Sequence, residues 1–432
     1  MENSIGLEIP DDLPPIYHLP PQRFYFFNSH DGYWQEATQD TVKAELAGTF
    51  GQNPVSSRRG ELSQVSRTLL RIKKELRIDG VACLGWEEMG IRILDGKRVL
   101  VEKGCSRIEP IPGPWEETRT YLTRLFGPDL PYFLGWMATG ARGFYDPAQR
   151  RYGQCLILAG PRNAGKSYLQ MQIITKVLGG TIGRPYEWLT KQTPFNSELF
   201  ESVHLLSEDD YHLADPRSRD QLGASIKKVT ANVSQEYNKK HGSKLVLRPY
   251  WRMSFSLNGE THYLAALPVL DASMMDKLVI LECSSNAVHL PTSGPDGNVM
   301  ERATNSELPA FIHYLLNEHV ISPEIADDRY GMMGYANIRI KEELAELGEE
   351  YLLLECLQIK YRGADDVRKT LLGIMNDLES PDTAAAIKMI IRRHYTIKGC
   401  LEKLALNPES GVKKVSLYRN TKGWSLTFPE KN

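Results

Sequence analysis

Apolar and polar positions along this chain change their pattern several times, and each change marks an element. Phe24-Tyr25-Phe26-Phe27, a turn at His30-Asp31-Gly32, then Tyr33-Trp34 and a helical stretch to Leu46 predict a hairpin followed by a helix. Ahead of them, Pro10, Pro14, Pro15, Pro20 and Pro21 stand among acidic residues and read as an extended lead-in. Ile91 to Val101, turning at Asp95-Gly96, predicts a second hairpin, and Pro110 to Pro114 punctuates the chain, so a domain boundary is drawn at 112. Glu116 to Arg142 predicts two helices. In the second, Tyr132 to Met137 reads as core or as a platform for stacking bases.

Short, strand-like runs, largely apolar, then alternate with polar loops, as buried strands do. They are Gln154 to Ala159, Val203 to Ser207, Trp251 to Leu257, and the stretch entered through Met275-Asp276-Lys277. After the first, Leu169, Ile173 and Val177 recur at helical spacing until Gly179-Gly180 stops the helix. Beyond Ser284 a Gly/Pro/Asn-rich loop runs to Gly297, followed by Glu- and Leu-rich helices from Leu308 to Arg362. From Thr383 the pattern is a helix through Arg393, a helix from Ile397 to Leu406, and two strands pairing Val415 and Leu417 with Trp424, Leu426 and Phe428. That is winged-helix-like, with Lys413, Lys414, Arg419 and Lys422 on or near the wing, and either DNA or a protein fits it. The fold class expected is α/β: a parallel sheet flanked by helices over 113–290, an α+β domain over 1–112, a helical lid or linker over 291–380, and the winged-helix-like part over 381–432.

Composition adds bounds. The 432 residues are 41% apolar and 25% charged, ordinary for a soluble chain of several domains, and the net charge of −2 leaves nucleic-acid binding to local patches. Six scattered cysteines, with no C-x-x-C pair, suit buried thiols in a reducing compartment rather than zinc or disulfides. No signal-peptide pattern and no long apolar run is present, so a cytoplasmic protein without a membrane partner is expected.

The chemistry concentrates in the middle. Gly160-Pro161-Arg162-Asn163-Ala164-Gly165-Lys166-Ser167 fits the phosphate-binding loop, and it joins an apolar strand to a helix, as that mechanism requires. The glycines let backbone N–H groups converge on a phosphate, Lys166 reaches the β/γ oxygens, and the Ser167 hydroxyl serves magnesium. ATP and Mg2+ are therefore the expected ligands. The Val203 strand ends in Glu208-Asp209-Asp210, where Glu208 and Asp209, with Asp210 the fallback, suit magnesium and the attacking water. Asn258, at the end of the next strand, suits positioning that water and sensing the γ-phosphate. Between Tyr211 and Arg252 the balance turns basic, and Lys239-Lys240-His241-Gly242-Ser243-Lys244 forms a turn cluster before Leu245-Val246-Leu247. A hairpin with such a cationic tip grips a nucleic-acid backbone without reading bases. The basic positions of Arg58 to Lys74 read more simply as a solvated helix face.

The order of P-loop, acidic strand, basic hairpin and Asn-ending strand resembles the superfamily 3 helicases of small DNA viruses, phages and plasmids. Arg219-Asp220-Gln221-Leu222 through Ser225-Ile226-Lys227 and on to Lys239-Lys240-His241 is similar to the matching segment of polyomavirus large T antigen. The resemblance implies a hexameric AAA+ ring. Lys240 and His241, with Lys239 and Lys244 beside them, would meet single-stranded DNA in its channel, while Arg219 and Lys277 would reach a neighbour's ATP. It further implies ATP-driven unwinding or translocation in replication of a mobile element, alongside replication proteins. Where the family carries an arginine finger, this chain has Lys277, so the finger is a lysine or lies elsewhere. The Tyr33-Trp34 hairpin and Gly135-Trp136 helix look like the region before the ATPase in phage and poxvirus-type primase-helicases; without zinc-binding cysteines or a primase motif, no primase activity is expected. The alternative is a DNA-binding ATPase switch, a replication initiator or defence component that does not unwind. A small-molecule kinase leaves the basic hairpin without a role.

Overall fold

Four residues of the Pro-rich lead-in form a strand. Ile16–Leu19 (β1) is buried throughout and pairs antiparallel with Arg23–Asn28 (β2), which pairs in turn with Tyr33–Ala37 (β3). The extended lead-in is held here as a strand: His18 exchanges backbone hydrogen bonds with Leu76 and Ile78, which tie the segment down. The structure, a computed structural model, describes residues 14–50, 61–207, 216–231, 234–239, 245–258, 267, 272–294, 297–346, 349–379, 394–406, 410–418 and 421–428.

Two helices follow, Gln39–Phe50 (α1) and Gln64–Glu75 (α2). The second is capped by Ser63, whose hydroxyl accepts from the Ser66 N–H, and it buries Val65, Leu69 and Ile72 on one face. Its basic residues take the other face, where Arg71 pairs with Glu75 at 3.1 Å. Gly80–Cys83 (β4), Gly90–Leu94 (β5) and Lys97–Lys103 (β6) make a second small sheet with β6 in the centre.

Glu116–Phe126 (α3) and Leu130–Tyr145 (α4) lead into the main sheet. Phe133, Trp136 and Met137 are buried, and the Trp136 indole donates to the Gln154 carbonyl at 2.9 Å. These side chains are core. The sheet holds Cys155–Gly160 (β7), Ile182–Gly183 (β8), His204–Ser207 (β9), Arg252–Asn258 (β12), Leu278–Glu282 (β13) and Tyr335–Ala336 (β14) in the order β14-β13-β7-β12-β9-β8, all parallel. β7, β9 and β12 are buried at every position, and β7 reads accordingly as an unbroken apolar run, whereas β9 and β12 bury His204, Arg252, Ser254 and Ser256 among their apolar residues. Helices flank this sheet, which is the expected α/β core with a parallel sheet. Gln235–Tyr237 (β10) and Leu245–Leu247 (β11) form the stem of the basic hairpin, antiparallel over three pairs.

The helix after β7 is not a uniform α-helix. Lys166–Tyr168 (α5) passes into a π-helical Leu169–Ile174 and then Thr175–Val177 (α6). Pro216–Ala231 (α7) carries the Arg219 position, and Val299–His313 (α8) lies further on.

A second compact unit runs from Ile338. It contains Ile338–Glu346 (α9), Glu349–Lys360 (α10), Ala364–Lys369 (β15), Leu371–Leu378 (α11), His394–Leu404 (α12), Val412–Ser416 (β16) and Lys422–Phe428 (β17). Its sheet is three-stranded, β15-β17-β16, packed on Leu353, Leu357, Ile374, Ile397 and Leu401. The register corrects the expected pairing: Val412 faces Leu426 and Lys414 faces Trp424, so Val412 is the buried anchor. Arg419 lies outside the described residues. No helix among the described residues is long and apolar enough to cross a membrane. All six cysteines are thiols outside any disulfide, Cys155, Cys283 and Cys400 buried and the others half-buried.

Candidate functional site

The carboxyl ends of β7 and β12 meet in register, with Asn258 opposite Gly160. In open parallel sheets ligands bind at this edge. The loop from Gly160 to Ser167 is built around two positions that tolerate no side chain. A Cβ on Gly160 would fall 2.2 Å from the Cys283 carbonyl oxygen, because β13 runs alongside. Gly165 has φ +99, a left-handed conformation open to glycine, and the hydroxyl of buried Tyr121 donates to its carbonyl at 2.8 Å. Asn163 is also left-handed, at φ 61. Pro161, Arg162, Asn163 and Ser167 are exposed and Ala164 is buried.

Lys166 folds back into the loop. Its ammonium donates to the carbonyls of Gly160 at 2.7 Å and Pro161 at 2.8 Å, and the residue is 6% exposed. The cation is thus held at the centre of the ring of backbone groups, at the start of a helix whose first N–H groups are unsatisfied by the helix itself. An anion is what such a site accepts.

Asn258 is 4% exposed, and its Oδ1 is buried without a hydrogen-bond partner. A buried amide oxygen left unpaired is costly, and it marks a position built for a group that arrives with a donor. On the far side of β12, β9 ends at Ser207, paired with Phe255. Glu208 and Asp209, with Asp210, follow it in the chain and lie outside the described residues, as do Lys240, His241 and Lys244 of the hairpin tip. Among the described residues no cluster of three metal-ligating side chains occurs. Ser167 is the described member of the expected magnesium set, and its exposure fits that use.

Lys239 stands at the end of the hairpin stem, half exposed, with its ammonium 3.8 Å from Glu102. Burial raises the Glu102 pKa and Lys239 opposes that rise. Arg219 lies on α7, with its backbone alone described. Lys277 is not brought to the loop: it precedes β13 at the opposite edge of the sheet, where its carbonyl accepts from the Cys155 N–H. Its ammonium pairs with Asp276 at 2.6 Å and the side chain is 12% exposed. Arg329 approaches the same carboxylate at 3.9 Å and lies over Tyr152 and Tyr330. Spacing did not reveal Arg329, because it follows β13 by a long and irregular connection. Near it a cleft of about 620 Å³ is lined by Arg150, Arg151, Arg248 and Arg329.

Sequence reading also missed a polar cluster under the loop. His204 of β9 is fully buried; its Nδ1 lies 2.7 Å from the Thr175 hydroxyl and its Nε2 2.8 Å from the Ser254 hydroxyl. Gln170 Nε2 donates to that serine oxygen at 2.8 Å, and Thr175 donates to the Gln170 carbonyl at 2.8 Å. Desolvation lowers the imidazole pKa to about 3, so the ring is neutral.

No known family model and no curated protein matches the sequence. Solved structures do resemble it. The apo structure of the NrS-1 C-terminal region (305–718) superposes with a TM-score of 0.55 at 10% identity, over 96% of this chain and 95% of that one. An A-form apo structure of the same region gives 0.53 at 11%, again over 96% and 95%. A complex of JCV Helicase aligns over 67% of each chain at 14% identity, but with a TM-score of 0.22 it does not bear on the fold. At such identity the likeness to the NrS-1 C-terminal region is one of fold, and it extends over nearly the whole chain.

Proposed function

We propose that the chain is an ATP-driven DNA helicase or translocase of the superfamily 3, AAA+ kind, working as a hexameric ring in the replication of a mobile element. The observation that carries this reading is the pairing, at one sheet edge, of Lys166 held inside a glycine-shaped loop with Asn258, whose amide oxygen lacks a partner. In this reading Lys166 exchanges the Gly160 and Pro161 carbonyls for phosphate oxygens, and the loop N–H groups from Gly160 to Ser167 take the rest. Ser167, with Glu208 and Asp209, would hold Mg2+, which supplies charge neutralisation to the phosphates when bound. In this reading those acids polarise the attacking water, and Asn258 Oδ1 accepts a hydrogen bond from it. Lys239, Lys240, His241 and Lys244 contact single-stranded DNA at the hairpin tip. Arg219 and Lys277 serve a neighbour's ATP, with Arg329 beside Lys277 as the guanidinium that this chain lacks at the family's finger position.

Phosphate release and strand displacement by purified protein test this. Lys166→Ala abolishes hydrolysis, whereas Ala at both Lys240 and His241 spares basal hydrolysis and removes its stimulation by DNA. If the hairpin variant unwinds normally, the channel assignment is wrong. A second reading, a DNA-binding ATPase switch, is favoured by the grip of Asp276 on Lys277, since a neutralised cation activates a neighbour poorly. Hydrolysis stimulated by single-stranded DNA without unwinding at any salt concentration selects that reading. Mixing Lys166→Ala with Lys277→Ala subunits tests supply in trans: recovered hydrolysis requires a site shared between copies.

A further inference from the structure

The four side chains beneath the phosphate-binding loop form one ring whose proton directions are fixed by elimination. The Thr175 hydroxyl spends its proton on the Gln170 carbonyl, so its oxygen accepts from His204 Nδ1–H. A neutral imidazole then has only a lone pair at Nε2, so the Ser254 hydroxyl donates there and accepts from the Gln170 amide. The ring starts at the Gln170 side chain and closes on the Gln170 backbone. It exists because the helix widens into a π-turn over Leu169–Ile174, which returns the Thr175 hydroxyl to a carbonyl five residues back.

Each member sits behind a residue of the nucleotide site. Gln170 follows Ser167 by three residues, one helical turn. Ser254 precedes Asn258 by four, and His204 precedes Glu208 by four, about 13 Å at the rise of a strand. Ser254, Ser256 and Asn258 alternate onto the same face of β12. His204 is level with Arg252 and reaches Ser254 diagonally, two residues further along β12, so the ring ties the loop helix, the Asn-ending strand and the acid-bearing strand together.

We propose that His204 is a positioning residue that sets the phosphate-binding helix against β9 and β12, so that Ser167 and Asn258 converge on one phosphate. This inference rests on the ATPase reading above. His204 touches no substrate; it acts through Ser254 and Thr175. Its loss changes the geometry in which hydrolysis occurs more than the affinity for nucleotide, since the loop that holds the phosphates keeps its own contacts through Lys166 and Tyr121.

The test measures kcat and KM for ATP, together with melting temperature, for Thr175→Val, Ser254→Ala, their double variant and His204→Phe. Thr175→Val and Ser254→Ala each remove one hydroxyl, so they carry the test even where His204→Phe does not fold. Each is expected to lower kcat by about tenfold or more, the scale of a small misplacement of reacting groups, with KM within about twofold. The double variant is expected to be no worse than the more affected single one, because both break the same ring. His204→Asn, which keeps a donor toward Thr175, and His204→Gln, which keeps an acceptor toward Ser254, each recover part of the rate lost in His204→Phe. A lowered melting temperature with kcat unchanged overturns the proposal, and so do effects of Thr175→Val and Ser254→Ala that multiply. A wild-type protein that neither binds nor hydrolyses ATP refutes the ATPase reading; a wild type that hydrolyses while the variants match it refutes the positioning role alone.

Discussion

Asn258→Leu should make the protein more stable and nearly inactive. Asn258 is 4% exposed and its Oδ1 has no partner, so the folded chain bears the desolvation of a carbonyl without compensation, about 1–3 kcal/mol. Leucine has the same number and branching of side-chain atoms, and a volume-conserving change in a packed strand costs little. The net gain expected is about 1 kcal/mol, a rise of about 1–2 °C in melting temperature for a unit of this size. Hydrolysis should fall by about a hundredfold or more, the usual loss when a buried group that orients the reacting atoms is removed. ATP affinity should stay within about threefold, under 1 kcal/mol, since the loop and Lys166 are untouched. Scanning fluorimetry without nucleotide, phosphate release at saturating ATP, and titration with a fluorescent ATP analogue read the three quantities. A variant that melts below the wild type, or one that hydrolyses ATP at a comparable rate, refutes the reasoning.

Gly160→Ala should lose nucleotide binding and about 3 kcal/mol or more of stability, because its Cβ would lie 2.2 Å from the Cys283 carbonyl and the two paired strands cannot separate; binding of the ATP analogue unchanged from wild type contradicts this. Tyr121→Phe removes the 2.8 Å hydrogen bond to the Gly165 carbonyl, and should cost about 1 kcal/mol, seen as about fivefold weaker ATP binding. His204 is neutral when folded, with its pKa lowered from 6.5 to about 3, so the unfolded chain binds the extra proton. Its contribution is complete above pH 6.5 and is lost on acidification toward pH 3 at about 1.4 kcal/mol per pH unit, about 2 kcal/mol by pH 5. Urea unfolding at pH 7 and pH 5 should therefore show a smaller acid loss in His204→Gln than in the wild type.

The parts of this fold that sequence reveals are those in which one physical demand acts alone. β7 is buried on both faces, so nothing interrupts its apolar run, and the phosphate-binding loop must keep its glycines and lysine at fixed spacing. β1 was hidden by flanking prolines, since a four-residue strand has too few positions to show a pattern against them. β15, Ala-Asp-Asp-Val-Arg-Lys, carries almost no apolar signal because it is recruited by its partner Lys422–Phe428 rather than by a buried face of its own. In β16, consecutive exposed Lys413 and Lys414 break the alternation, and the expected register slipped accordingly. His204 looked like an ordinary strand residue: its role depends on a hydroxyl on each of two other elements, and no spacing along the chain encodes that meeting. Arg329 escaped notice for the same reason, since its link to Lys277 runs through a shared carboxylate.

The contact between Lys166 and its own loop has a consequence for turnover. With the ammonium seated on the Gly160 and Pro161 carbonyls, the loop holds its cation and its curvature through its own contacts. Nucleotide arrival is then a substitution of ligands around one cation, with little chain ordering to be done, and departure is the reverse substitution. Under the proposed ATPase activity, the internal carbonyls would compete for the lysine on every cycle and subtract equally from the binding of ATP and of ADP, and the loop would not have to refold before the next nucleotide.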